Sequence, residues 1–163
     1  MCFDFLKKNK TVPNINMPWL NLPLPPVKNK ISGQALCAEL RKVYPIGHIW
    51  PTDATYSLTS VEEYTKFLKL FQAYMDYTFD NYDCDKIAWE MRNEANKWLK
   101  GEFPFGWVGG FSEDENYFIP IHCFNLIIDY QLKIWVCDYL EVAGPAKEFM
   151  PIIKLTYLED III

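Results

Sequence analysis

With 163 residues, half of them apolar and 17% aromatic, the chain carries enough side-chain volume for one hydrophobic core, which excludes disorder throughout. A net charge of −5, with Lys and Arg scattered along the chain, excludes the basic patch that a phosphate backbone requires, so no nucleic-acid partner is expected. No apolar run reaches the roughly 18 residues of a membrane helix, and the first residues lack a signal peptide's apolar core; a soluble protein with no membrane partner is expected, cytoplasmic or virion-associated.

Residues 11 to 30 hold five of the eleven prolines (Pro13, Pro18, Pro23, Pro25 and Pro26), interleaved with Asn, Leu and Trp19. Proline fixes φ and removes a backbone donor, so this stretch reads as an extended arm. Residues 1–32 are taken as that arm, a strand-like tail on the surface or a docking peptide for a partner protein, and 33–163 as the folded domain. Leu36, Leu40 and Val43 then share one side of a helix over Gln34 to Val43, and Pro45 ends it.

A loop is expected from Pro51 to Tyr56. Ser60-Val61-Glu62-Glu63 forms a capping box, in which a hydroxyl and a carboxylate satisfy exposed backbone donors. Tyr64, Phe67, Leu68, Phe71, Tyr74 and Met75 follow at helical spacing, so this helix should pack into the core. A third helix is expected from Asp83 or Cys84 to about Leu99, with Cys84, Ile87, Ala88, Met91, Ala95, Trp98 and Leu99 on its buried stripe. Gly101, Pro104 and Gly106 break the pattern, and Gly106 to Gly110 reads as a glycine-rich bend or a substrate rim around Trp107. Strands are expected at Phe118–Ile128, Leu132–Asp138 and Ile152–Leu158. Helices first and strands second define an α+β domain.

The five cysteines, at positions 2, 37, 84, 123 and 137, contain no CxxC pair, which points to reduced thiols. Cys84 differs from the others because it heads a helix, where unpaired N–H groups and the positive end of the dipole favour a thiolate. Asp83 and Asp85 oppose that effect unless they cap the helix or hold a cation. His122 lies in a strand apolar on both faces, and Asp138 ends the next one. If Ile128 pairs with Leu132 across a three-residue hairpin loop, His122 stands opposite Asp138, close enough for the carboxylate to orient the imidazole. A two-residue turn would put Tyr139 there instead.

Asp53-Ala54-Thr55-Tyr56, the capped helix at Ser60, Tyr82-Asp83-Cys84-Asp85-Lys86-Ile87-Ala88 and His122-Cys123-Phe124-Asn125 occur in an order that resembles the papain-like domain at the C-terminus of Marasmius oreades type agglutinins and in related phage and bacterial proteins. The resemblance covers roughly residues 45 to 140. It implies a Cys84, His122 and Asp138 triad, thiol peptidase activity on a protein or peptide, and calcium dependence, with Asp53, Asp83 and Asp85 as the nearest carboxylates. The agglutinins use a glutamate as third member, which makes Glu141 a rival to Asp138. Their sugar-binding trefoil has no counterpart here. Transglutaminase-like cysteine peptidases share the same skeleton, whereas NlpC/P60 peptidases share only the aromatic-Asp-Cys start.

The expected fold is therefore α+β and papain-like, with a Cys-headed helix packed on an antiparallel sheet. The expected function is a thiol hydrolase acting on a peptide or isopeptide carbonyl. The alternative is a catalytically silent papain-like module with a structural or binding role, such as a phage virion or accessory component.

Overall fold

The computed structural model describes residues 17–45, 47–74, 84–114, 117–137, 150–151 and 157–163; Cys84 and His122 are described in their backbone. A single 3-10 turn at Pro18–Asn21 leads into β1 (Asn29–Ser32), α1 (Gly33–Val43), β2 (His48–Trp50), β3 (Thr55–Leu58), α2 (Val61–Tyr74) and α3 (Cys84–Leu99). The remaining strands are β4 (Phe105–Asp114), β5 (Tyr117–Ile128), β6 (Ile134–Cys137), β7 (Met150–Pro151) and β8 (Tyr157–Ile162). β1 and β3 pair with each other, and the other six form one sheet in the order β2-β8-β4-β5-β6-β7. All its pairs are antiparallel except β2 with β8.

The sheet is covered on both sides, which explains why β5 is apolar on both faces. Ile127 and Phe105 pack with Phe67, Phe71, Met91 and Ala95 under α2 and α3. Phe124, Leu126, Ile128 and Val136 pack on the opposite side with Leu36 and Leu40 of α1 and with Tyr56 and Leu58 of β3. The helices lie close to where their caps and periodicities place them. Ser32 Oγ accepts from Ala35 N at 3.1 Å and starts α1. At the start of α2, the Ser60 carbonyl accepts from Glu63 N, while the Ser60 hydroxyl bonds the Glu62 carboxylate and, as the largest cause, holds it below its usual range.

The glycine-rich stretch corrects the expectation of a bend or rim: it is β4, hydrogen-bonded to β5 on one side and β8 on the other. A Cβ on Gly109 would lie 2.6 Å from the Trp107 ring, so the absent side chain is what lets that indole lie along the strand. β3 begins at Thr55, inside the expected loop, and β2 immediately precedes that loop. Between Gly110 and Ser112 the ladder shifts, so that Pro120 and Ile121 stand opposite Phe111 alone. Proline lacks a ladder donor and is tolerated at such a bulge. β8 occupies Tyr157–Ile162, and residues 152–156 of the expected strand lie outside the described residues.

The β5–β6 hairpin corrects the expected register. Ile128 pairs with Ile134, and Asn125 with Cys137, two residues further along β6 than a pairing of Ile128 with Leu132 would give. The three-residue loop is Tyr130-Gln131-Leu132, with Leu132 at φ 64°. Asp129, 3% exposed, sets it: Oδ1 accepts from Gln131 N and Lys133 N, and Oδ2 from Trp135 Nε1. The pairing that would face His122 with Asp138 is thus replaced, and Asp138 itself lies outside the described residues.

The arm is tied into the domain over its described part. Trp19 is 1% exposed, lies 5.5 Å from the Phe71 ring and donates its indole N–H to Glu94 Oε2 at 3.3 Å. Pro23 O accepts from Trp98 Nε1 at 3.2 Å. Residues 1–16, where a docking peptide was also considered, lie outside the described residues. Trp19→Ala should lower unfolding free energy by about 3–5 kcal/mol in urea denaturation, as for other buried aromatics; a merely surface-lying arm would leave it unchanged.

Candidate functional site

α3 owes its place to a stripe of Ile87, Ala88, Met91, Ala95, Trp98 and Leu99, all buried against α2 and the sheet. One polar clamp fixes its register. Asn125 Nδ2 of β5 donates to Ala88 O at 2.8 Å and to Gly106 O of β4 at 3.1 Å, joining helix and two strands at one buried amide. Cys84 is the first described residue of the helix, one turn before Ala88.

His122 sits in β5 opposite Gly110, at the edge of the bulge. From Ile127 back to Cys123 the odd-numbered positions of β5 belong to the α3 side, while Phe124 and Leu126 belong to the α1 side. Asp83, Asp138 and Glu141 lie outside the described residues. The other thiols of the described core differ in setting from a helix start. Cys123 and Cys137 are buried in the sheet, and burial pushes the Cys37 thiol up, with Arg41 opposing.

The loop from Trp50 to Asp53 is where the sequence suggests a second oxyanion donor beside the Cys84 N–H. Thr52 N donates to Ile163 O at 2.8 Å and Asp53 N to Tyr56 Oη at 3.0 Å, so these N–H groups are already engaged and not free to hold an oxyanion. The calcium expectation finds no built cage among the described residues: no three His, Cys, Asp or Glu side chains converge there. Asp53 is exposed and accepts from Thr52 Oγ1, and Asp85 is exposed. Calcium favours six to eight oxygen ligands, and Asp83, the remaining carboxylate of that expectation, lies outside the described residues.

Trp107 was singled out in the sequence only as part of a rim, and Asn125 only within a motif. In the fold they are register partners beside α3. Arg92, on the same helix, went unnoticed, although a cation between Met91 and Ala95 in an apolar stripe is a readable signal. A shallow open groove runs along the outer face of α3, lined by Lys86, Trp89, Glu90, Asn93, Glu94 and Lys97.

A cysteine-headed helix packed on a largely antiparallel sheet is the papain-like arrangement, and the chain has that α+β fold. It is similar to the solved structure described as the PSL1a–E64 complex, with a TM-score of 0.56 and 12% sequence identity. The similarity covers 82% of this chain and 50% of that one, so this chain corresponds to about half of that protein's length. No family model matches the sequence, and no curated protein matches it. No helix among the described residues is long and apolar enough to cross a membrane.

The groove beside α3 carries a measurable charge effect. Burial, and then the Glu94 carboxylate, hold Glu90 above its usual range, with Lys97 offsetting part of the rise. The folded chain therefore binds this proton more tightly than the unfolded one, and the stability it contributes in acid is lost as pH rises through the folded pKa. Glu90→Gln should accordingly raise the melting temperature at pH 7, with the gain shrinking as pH falls toward about 4, the unfolded carboxylate range. An equal gain at both pH values would exclude this effect.

Proposed function

We propose that the chain is a thiol hydrolase of the cysteine-peptidase type. The observation that carries the reading is Cys84 as the first described residue of α3, in a fold similar to that of the PSL1a–E64 complex. Unpaired N–H groups at that helix start favour the thiolate. In this reading the Cys84 sulfur attacks a peptide or isopeptide carbonyl while His122 takes the thiol proton. His122 then returns that proton to the leaving amine, and water cleaves the thioester. Asp138 or Glu141 orients the imidazole.

The reading makes a specific demand on β5. His122 is the last β5 residue in regular register before the bulge, and the reading requires its imidazole on the α3 side, where Asn125 and Ile127 lie. One oxyanion donor is the Cys84 backbone N–H. Because Thr52 and Asp53 are engaged, the second donor comes from elsewhere. That engagement is what favours the second reading, a silent papain-like module that binds without cleaving. A protein or peptide is the partner in both.

Alkylation kinetics followed by mass spectrometry separate the two. Cys84 should react with E64 and iodoacetamide at least tenfold faster than Cys37, Cys123 or Cys137, given a thiolate pKa lowered by about one unit or more. His122→Ala should slow Cys84 toward the rate of the others. Uniform slow labelling of all thiols in the folded protein would select the silent module.

A further inference from the structure

The groove on the outer face of α3 is a cleft that the reading of Cys84 leaves unused. Its volume is about 580 Å³, inside the range of about 300–1,000 Å³ common to ligand clefts, and it opens to solvent. Lys86, Trp89, Glu90, Asn93, Glu94 and Lys97 line it. They recur at three- and four-residue spacing, so they share one helix face, about 16 Å from end to end. Ile87, Met91 and Ala95 carry the rest of the helix into the core.

Glu90 is the group in this cleft whose charge is unmet. Glu94, one turn further on, pairs with Lys97 and accepts from the Trp19 indole at 3.3 Å. Lys97 is thereby committed to Glu94, and Glu90 has no hydrogen bond or ion pair among the described residues. Burial first, and the Glu94 carboxylate second, hold the half-buried Glu90 above its usual range, with Lys97 offsetting part of the rise. Its neutral isostere would serve the fold better at neutral pH. A carboxylate that weakens the fold while facing a cleft is a candidate for binding.

Trp89 supplies an apolar wall beside it. The residue is 42% exposed, and its ring is positioned by Trp107, edge-on at 6.0 Å, and by Arg92, whose Cζ lies 5.4 Å from the ring centre. Arg92 already draws on the π electrons of that ring, so the ring offers a ligand apolar surface and Glu90 offers it charge. We propose that the groove is a recognition site for a single basic side chain of a peptide, its aliphatic stem against Trp89 and its cationic head on the Glu90 carboxylate. With Lys86 and Lys97 toward the two ends of the groove, one positive charge is admitted and a run of them is repelled. The site takes from the preceding reading only that the partner is a protein or peptide, and it serves a hydrolase and a silent module alike.

Titration of the intact chain with acetyl-Ala-Lys-Ala-amide and acetyl-Ala-norleucine-Ala-amide tests this, in about 0.15 M salt to screen diffuse charge. Tryptophan fluorescence and the Asn93 side-chain amide resonances report binding. The norleucine peptide, which keeps the stem and lacks the charge, should bind at least about tenfold more weakly than the lysine peptide, the size of one charged hydrogen bond. Glu90→Gln, which should melt higher than the natural chain at pH 7 and so is folded, should lose the same factor for the lysine peptide and leave the norleucine peptide unchanged. A tri-lysine analogue should bind no more tightly than the single lysine. Equal affinity for the two peptides, binding unchanged in Glu90→Gln, or no response to the lysine peptide would overturn the site. Tighter binding of tri-lysine would overturn it in favour of diffuse attraction to a chain of net charge −5. Because binding and not cleavage is read, failure here leaves the alkylation of Cys84 as a separate measurement.

Discussion

The Asn125 amide is the constraint on which the geometry of the molecule turns. Its two N–H bonds reach Ala88 O and Gly106 O, so one side chain sets the height of α3 against both central strands. Gly106 is shaped for the same contact: an added Cβ would lie 3.0 Å from Ile163 Cγ1 and 3.2 Å from Ile162 O, leaving no slack. Burying an amide is unfavourable unless its donors are used, and here both go to groups that a slipped helix could not offer. Asn125→Ala would remove both bonds and leave more of this junction to apolar packing, which tolerates sliding far better.

Everything chemical in the domain inherits that register. Cys84 lies four residues, about 6 Å of helix rise, before the clamped carbonyl. Arg92 lies the same distance beyond it. The two halves of α3 thus present different chemistry, a nucleophile at its dipole-favoured start and an enclosed cation further along, held over the same pair of strands. Trp107 reaches this interface because Gly109 has no side chain to displace its ring.

The helices were legible because amphipathic period and caps are local properties. Gln34 to Val43 was expected and Gly33–Val43 is found; the expected start at Asp83 or Cys84 meets a helix whose first described residue is Cys84. β4 was not legible, since Gly106, Gly109 and Gly110 read locally as a bend, and only the ladders to β5 and β8, with Gly106 packed on Ile163 and Leu126 and Gly109 on Trp107, make this a strand. β2 and β3 are too short, at 3 and 4 residues, for alternation to rise above a proline-flanked loop. The β5–β6 register was missed because it follows from one carboxylate, Asp129, collecting three donors. Periodicity carries no trace of that preference. The papain-like α+β class survived these misses, since it depends on the order of helices and strands and not on where each strand ends.

The position of β8 has a consequence for how the chain is made. Tyr157–Ile162 follows the other described strands in sequence, yet it lies between β2 and β4, parallel to one and antiparallel to the other. During synthesis the β4 edge therefore stays open after β5 and β6 have been made, and β2 has no partner strand in the six-stranded sheet. Long-range closure of this kind slows folding, and an open apolar edge is a template for pairing between nascent chains. Residues 157–162 thus act as a late keystone, and premature termination just upstream would leave an aggregation-prone open edge on β4.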